Sequence, residues 1–211
     1  MRFRPSIVVV AAGRGSRFGA ALPAAAPKTA KLEQPFGTST VLGTTVRNAV
    51  RSQLPVVVVT TAALAPLVSG QLAQRDIVVL SDEEAARGMG HSIAAGVAER
   101  SGAPGWLVLP GDMPLVLPGT LLAVANALEQ HPVAYAQYQG RRGHPVGFAS
   151  ELYSELVLLQ GDEGARRIVA RYPAFGQEVP DAGVLVDIDT PAELEAARAA
   201  AAAAASNGQL A

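Results

Sequence analysis

Apolar residues along the chain fall into short runs that alternate with longer amphipathic stretches. Four runs are almost entirely apolar, at residues 7–10, 56–60, 77–80 and 106–109. Such runs are typical of parallel strands that are covered on both faces. Helical patterns accompany them, at about 40–52, 62–73, 92–99 and 118–130. This alternation predicts an α/β fold, in which a doubly wound, mostly parallel sheet is flanked by helices.

The second half of the chain has a less regular pattern. Two runs, 133–138 and 144–149, are expected to pair across the turn "QGRRG" as a small β-hairpin insertion. Short helices are expected near 152–159 and 163–170, and a last strand at 184–188.

The last predicted helix has a clear start signal in "DTPAELEAARAA". Thr190 can cap it, Pro191 suits the first helical position, and Glu193 occupies the third. We therefore expect one domain over residues 1–198, followed at 199–211 by an alanine-rich helix extension or a disordered tail.

Composition narrows the classes of function. The 211 residues include 17 basic and 18 acidic side chains, and no basic patch is interleaved with aromatic residues, so we expect no nucleic-acid partner. The absence of cysteine excludes disulfides, cysteine nucleophiles and zinc–thiolate sites. No apolar run is long enough for a membrane span, and "MRFRPSIVVVAAGRG" reads better as a first strand than as a signal peptide. A cytoplasmic protein is the expectation.

The first strand leads directly into a glycine-rich loop, "AAGRGSRFG" at 11–19. Glycines at 13, 15 and 19 do not give the dinucleotide spacing G-x-G-x-x-G, and no lysine follows Gly19 as an ATPase P-loop requires. What remains is a loop with its own cations, Arg14 and Arg17, followed by Lys28 and Lys31. Backbone N–H groups and arginines suit a triphosphate, although a glycine-rich turn with solvated arginines is the alternative.

The motifs together resemble a known family. "AAGRGSRFG" followed by "KLEQPFG" is similar to the nucleotidyltransferase signature A-A-G-x-x-x-R-[MF]-G followed by K-L. Further similar segments follow in the same order: "GMGHSIAAGV" (88–97), "LVLPGDMPLV" (107–116), "GRRGHPVGF" (140–148), "GDEGAR" (161–166) and "VDIDTPAEL" (186–194). Over about residues 6–198 the chain resembles the MobA-like NTP transferases, and within them the molybdenum cofactor cytidylyltransferases.

The resemblance implies a Rossmann-like fold and a set of site residues. Nucleotide-binding positions would be Ala11, Ala12, Gly13, Arg14, Gly15, Ser16, Arg17 and Lys31, with Gly88, Gly90, His91 and Ser92 beside the base and ribose. Catalytic positions would be Arg17, Lys31 and Asp112, and acceptor-binding positions Arg142 and His144. The insertion "AALPAAAPKTA" departs from the family, so Lys28 competes with Lys31, which is favoured because "KLEQPFG" continues the motif.

Carboxylates follow two of the predicted strands. Asp112 comes just past the fourth strand, and Asp187 and Asp189 end the last one. Mg²⁺ prefers one or two carboxylates with phosphate oxygens and water. The resemblance assigns the Mg²⁺ cofactor to Asp112 and Asp189, with Asp187 as a neighbour or substitute. The alternatives are that Asp112 is a turn residue and that Asp189 is a helix cap.

Simpler structural roles are also open for the other polar motifs. Ser92 could cap a helix, and Arg141 with Arg142 could occupy a solvated hairpin turn beside a buried His144. Asp162 and Arg166 fit the start of a capped helix as well as they fit a binding role.

The resemblance implies transfer of CMP from CTP to molybdenum-loaded molybdopterin, a pterin-type acceptor, with release of pyrophosphate. "AAG" rather than "AGG" at 11–13 resembles the cytidylyl branch more than the guanylyl branch. The alternatives are GTP as the donor, a different small phosphate acceptor, or a carrier that binds the cofactor for a molybdenum enzyme without catalysis.

Overall fold

A seven-stranded sheet forms the centre of the computed structural model, which describes residues 3–13, 18 and 30–206. The sheet strands are β1 (Ser6–Ala11), β4 (Val56–Thr61), β5 (Ile77–Leu80), β6 (Gly105–Pro110), β7 (Val133–Tyr138), β8 (Arg141–Ala149) and β9 (Ala174–Glu178); β2 (Pro35–Phe36) and β3 (Ser39–Thr40) form a separate small hairpin. The α-helices are α1 (Val41–Arg51), α2 (Asp82–Ala85), α3 (Met89–Glu99), α4 (Pro118–Ala127), α5 (Tyr153–Leu156), α6 (Arg166–Arg171) and α7 (Pro191–Ser206).

The strand order across the sheet is β5-β4-β1-β6-β8-β7-β9. β1 pairs in parallel with β4 and β6, β4 with β5, and β7 with β9, whereas β8 runs antiparallel to both of its neighbours. The carboxyl ends of the other described strands therefore share one edge with the beginning of β8. The predicted mostly parallel sheet and the predicted hairpin are confirmed, and the hairpin is continuous with the sheet.

Apolar residues on the two faces of the sheet belong to two separate cores. Ile7 and Val9 of β1 lie in one core with α1, α4 and α7, whereas Val8 faces the other core with α3, α5 and α6. A side-chain carbon at Gly96 would lie 2.4 Å from Val8, so α3 packs closely on the sheet. Because helices cover both faces, the doubly wound arrangement is confirmed.

Two predicted elements are wrong. Residues 62–73 do not form an α-helix; they form turns around a 3₁₀ helix at Ala65–Leu67. Pro66 and Gly70 explain the difference, because proline removes a helical donor and glycine disfavours a helix interior. The predicted strand at 184–188 is a 3₁₀ helix at Ala182–Leu185 followed by irregular chain. Val184 and Ile188 are buried, but the Ile188 amide bonds to the Asp112 carbonyl (3.1 Å) and joins no strand ladder.

The sequence also does not predict β9. The segment "AFGQE" has little apolar alternation, and it lies at a sheet edge, where it pairs with β7 on one side only. The helix expected at 152–159 shrinks to a 3₁₀ turn, Ser150–Leu152, and α5, while α6 begins at Arg166 rather than 163. In the described part of the chain, no helix is both long enough and apolar enough to cross a bilayer.

Candidate functional site

The carboxyl edge of the sheet gathers most of the predicted site residues that the structure describes. Ala11 and Ala12 are buried at the end of β1, and Gly13 is exposed just beyond them. Asp112 follows β6, and Arg142 and His144 stand at the start of β8. The predicted positions Arg14, Gly15, Ser16, Arg17 and the alternative Lys28 lie outside the described residues.

Lys31, Asp112 and Asp189 form one ionic cluster at this edge. The ammonium nitrogen of Lys31 donates to Oδ2 of Asp112 at 2.6 Å and to Oδ1 of Asp189 at 2.9 Å. The side chains are 11%, 17% and 17% exposed, so the cluster is largely withdrawn from water. Residues that are 81 and 158 positions from Lys31 in sequence therefore meet at one point.

Electrostatics favour the charged form of Lys31. Burial lowers the pKa of this ammonium, but the negative charges of Asp112 and Asp189 and their hydrogen bonds outweigh burial and raise the pKa above its ordinary value. The cluster thus holds one ammonium and two carboxylates in a largely buried position, where ionic interactions are stronger than at an exposed surface.

The two carboxylates fit a divalent cation. Oδ1 of Asp112 is buried and has no hydrogen-bond partner among the described residues. Buried acceptors without a partner are uncommon, and this one is available to a ligand. In the ranges 3–13 and 30–206, no group of three His, Asp or Glu side chains is placed to hold a metal. Two carboxylates that leave the remaining positions to phosphate and water fit the coordination habit of Mg²⁺.

Asp112 is held in place by backbone contacts on both sides of its turn. The preceding Gly111 amide donates to the Val10 carbonyl of β1 at 2.9 Å. The side-chain amide of Asn48, on α1, donates to the carbonyls of Pro114 (2.9 Å) and Val116 (3.2 Å). Because both sides of the turn are fixed, the Asp112 carboxylate reaches Lys31 from a rigid support.

Asp189 is positioned by the start of α7. The Glu193 carboxylate accepts from the Asp189 amide (2.9 Å) and the Thr190 hydroxyl (3.0 Å), while the Glu193 amide donates to that hydroxyl (3.2 Å). This reciprocal capping box confirms the predicted role of Thr190 and Glu193. It also shows that Asp189 is not the helix cap, so its carboxylate is directed to the cluster instead.

A buried aspartate anchors the segment that leads to Asp189. Asp181 is 5% exposed, and its carboxylate accepts from the amides of Leu117 (2.9 Å) and Gly183 (2.9 Å) and from the Thr120 hydroxyl (2.6 Å). It thereby joins the 3₁₀ helix at Ala182–Leu185 to the start of α4. The chain that follows crosses the sheet edge to Asp112, where the Ile188 amide donates to the Asp112 carbonyl.

The predicted base-side motif is tightly packed. Gly88 has a φ of +93°, and a side-chain carbon there would lie 2.5 Å from the Gly161 backbone. At Gly90 the same atom would lie 2.7 Å from the Gln160 carbonyl oxygen. The cap of α3 is Gly88, so the alternative of Ser92 as a cap is wrong; Ser92 is buried within the helix. His91 is partly exposed, beside the negative charge of Glu84.

The predicted acceptor side has its own ordered cations. The Arg142 guanidinium lies over the Tyr135 ring, 4.6 Å from its centroid. This stacking restrains a side chain that is otherwise exposed. Burial lowers the pKa of His144, the charges of Asp112 and Asp187 oppose that shift, and Arg142 and Arg166 reinforce it. The lowered pKa favours the neutral form of the His144 imidazole, on which charges of both signs act.

A glutamate that the sequence did not flag fixes this hairpin. The Glu178 carboxylate at the end of β9 accepts from the amides of Gln139 and Gly140 and from the Gln137 side chain. Gln139 and Gly140 have φ values of 50° and 75°, which a tight hairpin turn requires. Glu178 thus orients the turn from which Arg142 extends.

A recess of about 260 Å³ lies beside the end of β1. Its lining includes Ala12 and Gly13, Ala30 next to Lys31, and the acidic residues Glu33 and Asp82. Thr61 at the end of β4 completes this side of the lining. The recess therefore connects the first loop with the segment that supplies Lys31.

A larger cavity, of about 590 Å³, lies at Pro55 and Pro104, which precede β4 and β6, away from the cluster.

Residues 7–179 match the family described as the MobA-like NTP transferase domain. The chain belongs to this family. Family membership supports nucleotidyl transfer as the activity of this MobA-like protein. Asp189 lies beyond the matched region, so its connection to Asp112 rests on the geometry of the cluster.

Several known proteins are similar to this MobA-like chain. The Purine catabolism protein PucB of Bacillus subtilis is 36% identical over 124 residues, which cover 56% of this chain and only 60% of the length of that relative. Rv0371c of Mycobacterium tuberculosis is 27% identical with a TM-score of 0.75, covering 93% of this chain and 98% of that one. Rv0371c also has a crystal structure in complex with manganese (26% identity, TM-score 0.72, 92% and 97% covered).

A nucleotidyl transfer enzyme from Methanothermobacter has the same fold. It is 24% identical with a TM-score of 0.79, and the alignment covers 93% of this chain and 97% of that chain. At this level of identity the likeness concerns the fold, and it agrees with the doubly wound sheet described above.

Proposed function

We propose that this chain transfers CMP from CTP to a phosphate of molybdenum-loaded molybdopterin and releases pyrophosphate. The observation that carries the proposal is the meeting of Asp112 and Asp189 with Lys31 at the carboxyl edge of the sheet. Open α/β sheets bind their ligands at this edge. A pure binding protein has no need of two carboxylates that converge at the sheet edge where the predicted phosphate-binding loop begins, at Gly13.

The proposed reaction is a substitution at phosphorus. A phosphate oxygen of the acceptor attacks the α-phosphorus of CTP and forms a new P–O bond. The bond from the α-phosphorus to the oxygen of the β-phosphate breaks, and pyrophosphate leaves with that electron pair. The work of the protein in such reactions is mainly orientation and neutralisation of charge.

Asp112 and Asp189 would hold Mg²⁺, and the unpartnered Oδ1 of Asp112 supports this role. When bound, the metal would neutralise negative charge on the triphosphate. Lys31 would neutralise charge on the leaving pyrophosphate; its contacts with both acids favour it over Lys28. The backbone N–H groups of the Gly13–Gly19 loop are proposed to bind the β- and γ-phosphates, and Arg17 is proposed to act with Lys31 on the charge of the leaving pyrophosphate.

The nucleoside is proposed to enter the recess beside Ala12 and Gly13. Glu33 and Asp82 line it, and carboxylates accept hydrogen bonds from an exocyclic amino group. Cytosine has such a group and uracil does not, so this lining favours CTP over UTP. Gly88 and Gly90 would act by letting the start of α3 pack against the Gly161 and Gln160 backbone, where no side chain fits.

Arg142 and His144 are proposed to face the acceptor. The stacked Arg142 guanidinium suits a phosphate group, and the neutral His144 can accept or donate a hydrogen bond without repelling the arginines. We propose a molybdenum enzyme as the recipient of the product. The sequence similarity to a purine catabolism protein favours a recipient enzyme that acts in purine breakdown.

The test is pyrophosphate release with Mg²⁺, molybdenum-loaded molybdopterin and each of CTP, GTP, ATP and UTP. CTP is expected to give the fastest release. Asp112→Asn is expected to lower the rate by about 100-fold or more, because a metal ligand contributes several kcal/mol to the transition state. Glu195→Gln, which removes an exposed carboxylate on α7, is the matched control and is expected to leave the rate unchanged.

Other outcomes separate the alternatives. Faster release with GTP would replace cytidylyl by guanylyl transfer. Tight binding of the pterin without pyrophosphate release from any nucleotide would favour a carrier. Full activity of Asp112→Asn would refute the metal-binding role of the acidic pair.

A further inference from the structure

Lys31 fills the gap between the two acids that the proposed metal would use. Its nitrogen is 2.6 Å from Oδ2 of Asp112 and 2.9 Å from Oδ1 of Asp189. The two oxygens are thus no farther apart than the sum of these distances, about 5.5 Å. The ammonium is therefore the cation that the two carboxylates share.

A divalent ion and this ammonium cannot occupy the gap together. Mg²⁺ binds carboxylate oxygens at about 2.0–2.1 Å, so an ion shared by these oxygens would fall within the space of the Lys31 nitrogen. Like charges at such a separation repel strongly in a largely buried place. One cation must leave before the other can bind these two oxygens together.

The recess beside Gly13 lies next to the segment that carries Lys31. Ala30, the residue before it, lines the same recess as Gly13. A lysine side chain is a flexible four-carbon stem with a point charge at its end. A triphosphate bound beside Gly13 would carry about four negative charges, more than the two acids of the cluster. That polyanion would attract the ammonium away from Asp112 and Asp189.

We propose that Lys31 is an internal counter-cation that sets the order of binding. A divalent ion enters between Asp112 and Asp189 only when a nucleoside triphosphate has drawn the ammonium to its phosphates. The metal and the nucleotide therefore bind as a unit, and the acidic pair does not collect metal by itself. The proposal depends on the assignment of this pair as metal ligands under the proposed function.

The test is titration of the full chain with Mn²⁺, with free Mn²⁺ measured by electron paramagnetic resonance. Without nucleotide, the native chain is expected to bind Mn²⁺ weakly, and Lys31→Met to bind it about 10- to 100-fold more tightly, because the competing charge is gone. Once the Mn²⁺ bound by CTP alone in a protein-free titration is subtracted, adding CTP is expected to tighten binding markedly in the native chain and much less in Lys31→Met. Arg167→Met, at an exposed cation on α6, is the matched control and is expected to behave like the native chain.

Two further variants keep the test decisive. Lys31→Gln retains a hydrogen-bonding group without the charge, and its Mn²⁺ binding is expected to tighten as in Lys31→Met. If the methionine variant unfolds, the glutamine variant is used. In both, Mn²⁺ is expected to raise the melting temperature, measured by circular dichroism, more than in the native chain. Adding Asp112→Asn to Lys31→Met is expected to abolish the gain.

The results distinguish failure of the counter-cation proposal from failure of the proposed metal site. If Lys31→Met and Lys31→Gln bind Mn²⁺ no more tightly than the native chain without nucleotide, while CTP still promotes Mn²⁺ binding to all three, the counter-cation role is overturned and the metal site stands. If no variant binds Mn²⁺ even with CTP, both the metal site and the counter-cation role are overturned.

Discussion

Asp181 offers the sharpest test of how the fold positions the site. Its carboxylate is buried and accepts three hydrogen bonds, two from backbone amides and one from the Thr120 hydroxyl. Asp181→Ala removes the acceptor for all three donors. The hydroxyl can rotate to another partner, but the amides of Leu117 and Gly183 cannot. An orphaned buried donor costs about 1–3 kcal/mol, so the expected loss of unfolding free energy for the two amides is about 2–6 kcal/mol.

The measurement is urea unfolding followed by circular dichroism, in the absence of metal and nucleotide. A domain of this kind has a free energy of unfolding of about 5–15 kcal/mol, so the shift in midpoint is expected to be large while the slope stays the same. Asp181→Asn keeps one carbonyl oxygen and is expected to lose less than Asp181→Ala. Glu195→Gln, at an exposed carboxylate, is expected to change stability by less than about 0.5 kcal/mol.

The same variant also tests the link to Asp189. Where Asp181→Ala remains folded, the segment from the 3₁₀ helix to Asp189 loses an anchor, and pyrophosphate release is expected to fall. A stability loss below about 1 kcal/mol would show that the three hydrogen bonds are replaced by water or by neighbouring groups, and the reasoning from burial would be refuted.

Two further predictions follow from packing and from pH. Gly90→Ala is expected to destabilise the fold by about 1–3 kcal/mol, because the added carbon would lie 2.7 Å from the Gln160 carbonyl oxygen, whereas Gly119→Ala, in open space on α4, is expected to stabilise it by about 0.5–1 kcal/mol in urea unfolding. Equal effects of the two alanines would contradict the close packing. The lowered pKa of His144 means that the unfolded chain takes up a proton more readily, so stability is expected to fall as pH drops below about 6.5. Unfolding midpoints at about pH 7.5 and about pH 5.5 should differ less in His144→Gln, and an unchanged difference would assign the pH effect to other groups.

The main strands and the cap of the last helix could be predicted from local sequence. Runs such as that at 56–60 are apolar enough to specify buried parallel strands, and the observed β4 confirms this. The capping box of Thr190 and Glu193 was likewise predictable, because its hydrogen bonds join residues within one turn of chain. The prediction of a helix at 62–73 was wrong because it followed the apolar spacing and ignored Pro66, which removes a helical hydrogen-bond donor.

The apolar run at 184–188 shows why local pattern is insufficient. A buried β-branched run satisfies the same pattern whether it pairs in a sheet or crosses the sheet edge, because burial does not specify the hydrogen-bond partner. Here Ile188 bonds to the Asp112 backbone, and the sheet edge beside β7 is taken by β9, whose sequence carries little strand signal. The roles of Asn48, Glu178 and Asp181 also depend on contacts between distant segments, which spacing along the chain does not reveal.

The sequence by itself determined the doubly wound class, the glycine loop after the first strand, and the identity of the acids and the lysine, because each depends on local composition or on ordered motifs. Only the tertiary structure decided that Lys31 lies between Asp112 and Asp189. The reason is that the cluster joins three segments through distances of a few ångströms, and those distances are set by strand order, by the capped start of α7 and by the anchored turn after β6.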